Sequence, residues 1–167
     1  MSDIDDAVAR YTTGNLRERV HAALRDAGHD PARLKPDDLN EGDHFHLGGR
    51  DTTDWIAGIL GIGEGVRVLD VGSGLGGPAR RFAVLGARVT GVDVTKEFTD
   101  LATELNQACG LEGSIEMLNR PGQQTGLEGS SFDVAVLMHV GMSIADKTSL
   151  FAEIFRLLRP GGRPGSL

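Results

Sequence analysis

From Val66 onward, short apolar runs alternate with stretches in which apolar residues recur every three or four positions. That alternation predicts strands joined by amphipathic crossover helices, the pattern of a parallel α/β sheet. Residues 66–71 (VRVLDV) are rich in β-branched side chains and bounded by glycines, which predicts a first strand. A helix is expected over 77–85, with Pro78 in the first turn, where a missing N–H costs little, and Gly86 as its C-cap. Residues 88–94 predict a second strand. In the helix after it, Phe98, Leu101, Ala102, Leu105, Ala108 and Cys109 keep the i, i+3, i+4, i+7 spacing of one buried face. Residues 114–118 read as a weaker third strand. Residues 132–138 read as a fourth and, apart from Asp133, are continuously apolar, as in a central strand covered on both faces. A last helix is expected over 145–159, with Leu150, Phe151, Ile154, Phe155 and Leu158 inward, ended by Pro160-Gly161-Gly162.

Upstream, residues 15–27 predict a helix that Asn15 caps, with Glu18 at capping-box spacing and Gly28 at its end. Residues 29–50 are loop-rich, and a short helix over 54–60 leads into the first strand. The division expected is an N-terminal helical and lid segment, residues 1–50, followed by an α/β core, residues 51–167. Composition narrows the class further. The chain has 167 residues, 40% of them hydrophobic and 25% charged, enough for one globular domain with its own core. The formal net charge of -7, without a long basic run, argues against a nucleic-acid binder. The single cysteine, Cys109, allows no intrachain disulfide, fits the buried face of its helix and points to the reducing cytoplasm. No apolar run approaches the roughly 18 residues of a membrane span, and the N-terminus is acidic where a signal peptide is basic. The expected partner is a small molecule.

The candidate chemistry lies in Asp70-Val71-Gly72-Ser73-Gly74-Leu75-Gly76-Gly77, between the first strand and its helix. Glycines let a ligand approach the backbone, and a helix N-terminus offers N–H groups to an anion. Gly72, Gly74 and Gly77 satisfy the dinucleotide pattern G-x-G-x-x-G, and Asp93 stands about 20 residues on, where that pattern places a ribose-binding acid. On the loop alone a nicotinamide oxidoreductase stays open. Asp70 favours another ligand: a carboxylate there would crowd a pyrophosphate but accept hydrogen bonds from an ammonium group. Gly76 completes D-x-G-x-G-x-G.

Taken together, "VRVLDVGSGLGGPARRFA", "VTGVDVT", "SSFDVAVLMHVGMSIADK" and "RLLRPGGR" resemble the class I S-adenosylmethionine-dependent methyltransferases. The resemblance covers roughly residues 20–163. It is nearest to the small-molecule group that includes sarcosine/dimethylglycine and ubiquinone-type enzymes, which the loop "DHFHLGGRDTT" also resembles. It implies a Rossmann-like, doubly wound parallel sheet and S-adenosyl-L-methionine as cofactor. By the same resemblance Asp70, Gly72, Ser73, Gly74 and Gly76 hold the methionine end, Asp93 takes the ribose hydroxyls, Val94 and Thr95 lie beside adenine, and His139 faces the cleft near the sulfonium. The reaction implied is in-line methyl transfer to a small amine, hydroxyl or ring-carbon acceptor, with proximity as the main contribution of the protein. A base is needed only for an acceptor that arrives protonated, and among His44, His46 and His139 the better candidates are His46 and His139. No metal site is expected.

Two departures from the family pattern bear on activity. Pro121, in "NRPGQQTG", occupies the position where the family carries an acid that reads the adenine amino group. The family sheet has seven strands, of which about four are expected here. The apolar fourth strand then becomes an open edge, inviting a second copy or a partner chain. The second reading is accordingly a catalytically silent cofactor-binding fragment or subunit.

Overall fold

The computed structural model describes residues 8–39 and 49–166. A helical turn over residues 8–11 precedes α1 (Leu16–Asp26), and a 3-10 turn (Pro36–Leu39) leads toward α2 (Gly49–Leu60). The core then alternates β1 (Arg67–Val71), α3 (Gly77–Val84), β2 (Arg88–Asp93), α4 (Lys96–Ala108), β3 (Ile115–Asn119) and β4 (Phe132–Leu137). A 3-10 turn (Gly141–Ser143), α5 (Lys147–Leu157) and β5 (Leu158–Ser166) complete it. All pairings are parallel, in the order β3-β2-β1-β4-β5. This is the doubly wound α/β arrangement expected from the alternating pattern.

Alternate side chains of each central strand face opposite layers. Val68, Val89 and Val134 pack on one side with Ile56, Ala79 and Phe82 of α2 and α3. Leu69, Val71, Val92 and Ala135 pack on the other with Leu150, Ile154 and Leu157 of α5. A third cluster joins Leu75 of the glycine loop to Leu101 and Leu105 of α4 and to Leu24, Leu34 and Leu39. Chain order reverses at β1, whose neighbours are β2 and β4. The crevice beyond the strand C-termini at such a switch point is where α/β sheets bind ligands.

The sheet has five strands, not four. The final helix ends at Leu157, and the segment beginning at Leu158 runs along β4 as a fifth parallel strand. Pro160 and Pro164 argue against a strand because each lacks an N–H, but an edge strand leaves one side of its backbone unpaired and tolerates proline. A register shift absorbs Pro160-Gly161-Gly162: Phe132 pairs with Leu158, whereas Val134 already pairs with Arg163. β4 is therefore interior, buried along its whole length. The open fourth-strand edge expected to recruit a partner chain does not exist.

Two smaller expectations also fail. Phe151 and Phe155 are 41% and 63% exposed, because Leu150, Ile154 and Leu157 already fill the sheet-facing row of α5. Asn15 makes no side-chain cap bond to α1. Glu97, on the first turn of α4, accepts the N–H groups of Thr13 (2.8 Å), Gly14 (3.2 Å) and Leu16 (2.9 Å) instead. Those N–H groups need an acceptor at the helix start, and a distant carboxylate supplies it. Arg17 adds two bonds to Glu104 at 2.6 and 2.8 Å, tying α1 to α4. Among the described residues no helix is long and apolar enough to cross a membrane.

Candidate functional site

β1 ends in Asp70 and Val71, and the chain turns at once through the glycine loop. Gly72 has φ +73°, and a Cβ there would lie 2.3 Å from Cγ2 of Val140, so only glycine fits. Gly74 (φ +52°) and Gly76 (φ +83°) are also left-handed, and Gly76 is the N-cap of α3. The second strand satisfies three of the loop's donors. Gly72 and Ser73 donate their N–H groups to the Val92 carbonyl at 2.8 and 3.2 Å, and Gly74 donates to Oδ2 of Asp93 at 3.0 Å. These three amides are thus turned into the protein. Beneath the loop, the fully buried Arg80 donates to the Leu75 carbonyl and, at 2.7 Å, to Oδ1 of Asn106.

Asp70 is 1% exposed, borders the cavity, and accepts no hydrogen bond at either oxygen from the described residues. Burial pushes its carboxyl up to about 7, and the nearby charge of Asp93 adds to the shift. Asp93 is held by N–H bonds from Gly74 and, at 2.8 Å, from Thr95. Burial raises its pKa, and those N–H bonds oppose the rise. An unpartnered buried carboxyl is costly unless a ligand supplies its donors.

The cavity over these residues measures about 520 Å³, within the roughly 300–1,000 Å³ usual for small-molecule sites. It brings together Asp70, Gly72, Ser73, Gly74, Asp93, Val94, Thr95 and His139. Gly76 stays outside its wall, and so does Pro121. His46, like His44, lies outside the described residues. His139 follows β4 with φ +54°, a conformation uncommon for a residue with a side chain. Several wall residues carry no sequence motif. Arg10, Tyr11, Thr13, Leu16 and Arg19 come from the N-terminal segment, and Arg120, Gly122 and Gln123 from the loop after β3. Tyr11 reaches both sides of the cavity mouth. Its ring lies 6.2 Å from that of Phe98, and its hydroxyl is 3.5 Å from Oγ of Ser143.

The donor set fits a ligand that carries an ammonium group and vicinal hydroxyls. Asp70, whose oxygens accept nothing from the described residues, is free to accept from a cationic donor, and Asp93 borders the same cavity. The model of the methyltransferase domain matches residues 69–164, so the chain belongs to the methyltransferase domain family, and its fold is the Rossmann-like fold of the class I S-adenosylmethionine-dependent enzymes. A sterol 24-C-methyltransferase of Gibberella zeae is 32% identical over 125 residues, covering 74% of this chain and 33% of its own length. The phosphoethanolamine N-methyltransferase 2 of Haemonchus contortus, solved with S-adenosyl-L-methionine, is 30% identical at a TM-score of 0.65, covering 72% of this chain and 28% of that one. The [4+2]-cyclase SpnF shares the fold at a TM-score of 0.69 and 24% identity, covering 87% and 55%. The chain spans about a third of the length of the curated relatives it matches.

Proposed function

We propose that this chain binds S-adenosyl-L-methionine and transfers its methyl group to a small-molecule acceptor, an amine, hydroxyl or ring carbon. The observation that carries the proposal is Asp70, buried without a hydrogen-bond partner among the described residues and bordering the same cavity as Asp93. Asp70 accepts the ammonium of the cofactor. Asp93, held rigid by Gly74 and Thr95, accepts the ribose hydroxyls, and Val94 and Thr95 flank the base. Gly72, Ser73 and Gly74 border the space for the methionine end, and Gly76 shapes the loop as N-cap of α3. The bound cofactor supplies a methyl group already activated on a sulfonium, so the chief work of the protein is alignment and exclusion of water.

His139, on the cavity wall past β4, is the base for an acceptor that arrives protonated. His46 is a second candidate from the N-terminal segment. We assign residues 1–50 to a lid and 51–167 to the cofactor-binding core. The five wall residues that precede α1 or lie within it support that division. The single cysteine supports a reducing compartment, the cytoplasm.

Incubation with S-adenosylmethionine labelled in its methyl group, together with a panel of amine, phenol and alkene acceptors, tests the activity. Label should pass to at least one acceptor, with S-adenosylhomocysteine formed in equal amount. Absence of transfer across the panel, from a chain that binds the cofactor, would contradict methyl transfer and leave a binding module.

A further inference from the structure

We propose that the methyl acceptor is an amphiphilic anion, with its apolar body along Tyr11, Val140 and Ile144 and its carboxylate or phosphate held by Arg10 and Arg19. The inference rests on the reading of the site as one for S-adenosylmethionine and adds the class of its second substrate. Among the described residues the charged side chains that border the cavity are sorted by depth. Asp70, 1% exposed, lies at the floor, whereas Arg10, Arg19 and Arg120 are exposed.

Arginines elsewhere in the fold are committed to carboxylates. Arg17 pairs with Glu104, Arg81 with Asp54, Arg156 with Glu153 and Arg159 with Asp133. Arg120 on the cavity wall gives Nη1 to the Thr125 carbonyl at 2.6 Å. Arg10 and Arg19 make no hydrogen bond or ion pair with the described residues, yet both border the cavity. A guanidinium keeps its charge and grips a carboxylate or phosphate through parallel N–H bonds. The net charge of the chain, -7, repels an anion at long range, so an anionic substrate needs such a local cationic rim.

The two arginines stand on anchored backbone. Arg10 and Tyr11 are neighbours in the helical turn before α1, and the Tyr11 hydroxyl is 3.5 Å from Oγ of Ser143 across the mouth. Arg19 shares a face of α1 with Leu16, three residues earlier, which also borders the cavity. The Leu16 N–H donates to Glu97 at 2.9 Å and Arg17 to Glu104 at 2.6 Å, which fixes that face against α4. Past His139 the wall turns apolar, for Val140 and Ile144 pack on the core cluster of β1, β4 and α5. An apolar body is favoured there because it leaves water without stranding a polar group. The carboxylate of the cofactor does not account for the pair of arginines. It shares a carbon with the ammonium and so stays at the floor beside Asp70.

Calorimetric titration of the full chain, saturated with S-adenosylhomocysteine, tests the proposal with three probes: 3-phenylpropanoate, its uncharged amide, and acetate. The carboxylate should bind about tenfold more tightly than the amide at low ionic strength, the weight of a charge-assisted hydrogen bond. That preference should shrink as salt is added, and acetate, which lacks the body, should give no heat. The double variant Arg10→Gln/Arg19→Gln should bind carboxylate and amide alike and keep its affinity for S-adenosylhomocysteine. Equal affinity for the two phenyl probes in the unaltered chain, or no heat from either, overturns the proposal. So does a preference that survives in the double variant. Loss of S-adenosylhomocysteine affinity in that variant would assign the arginines to the cofactor and overturn it as well. Failure of the unaltered chain to bind S-adenosylhomocysteine would instead overturn the reading of the site, and this inference with it.

Discussion

Asp70 is buried with no hydrogen-bond partner among the described residues. Its carboxyl titrates at about 7 in the fold against an ordinary 3.8, chiefly because burial disfavours the charge. Between those values the folded chain holds a proton that the unfolded chain has released. Stability from this group is therefore full below about pH 4, falls as pH rises toward 7, and levels off above it. The whole change amounts to roughly 4 kcal/mol at 1.36 kcal/mol per unit. Asp70→Asn cannot ionise, so its urea midpoint should exceed that of the unaltered chain at pH 8 and approach it at pH 5. A second prediction concerns His139, whose φ of +54° is better tolerated by asparagine than by alanine. His139→Asn should lower turnover of a protonated acceptor about 100-fold while leaving S-adenosylhomocysteine affinity unchanged. Affinity and single-turnover rate, measured on the same preparation, separate the two effects.

At the scale of elements, non-local contacts decide what local patterns leave open. Asn15 and Glu18 have the spacing of a capping box, yet the donors before α1 go to Glu97, some 80 residues away. Those same N–H bonds hold the Glu97 carboxyl below the ordinary carboxylate range. Glu97→Gln should speed hydrogen exchange at Thr13, Gly14 and Leu16 without moving the exchange of β1 or β4. Asp133 ties strand starts together across the sheet. Its Oδ2 accepts the Arg67 N–H at 2.8 Å, and its Oδ1 lies 2.6 Å from Nε of Arg159 on β5. Asp133→Ala would leave that part-buried N–H without its carboxylate and release Arg159, lowering unfolding free energy by about 1–3 kcal/mol in denaturant titration. The apolar periodicity predicted four strands and the crossover helices because each buries its own face. β5 escaped it because Pro160, Gly161, Gly162 and Pro164 read as a turn until β4 offers a pairing edge. Phe151 and Phe155 were misread for a related reason: periodicity finds a stripe but not its centre when five apolar residues crowd one helix.

For the whole molecule, the order β3-β2-β1-β4-β5 gathers the ends of β1, β2 and β4 around one crevice. Asp70, Asp93 and His139 come together there from segments up to 69 residues apart in sequence. The glycine loop and its two carboxylates were legible in advance because loop, strand and helix are contiguous in sequence. Gln123 and Tyr11 were not, since no motif marks a side chain brought to the wall by tertiary packing. Nor could the sequence show that the amides of Gly72, Ser73 and Gly74 turn inward onto the end of β2. In the proposed site the buried carboxylate of Asp70 accepts an ammonium group, a role that makes affinity depend on pH. Calorimetric titration with S-adenosylhomocysteine should show affinity rising about tenfold per pH unit from 5 toward 7 and then levelling, as ionised Asp70 becomes available. Asp70→Asn should bind more weakly with no such rise, and NAD should give no heat. Affinity indifferent to pH in the unaltered chain, or NAD binding as tightly as S-adenosylhomocysteine, would contradict the account.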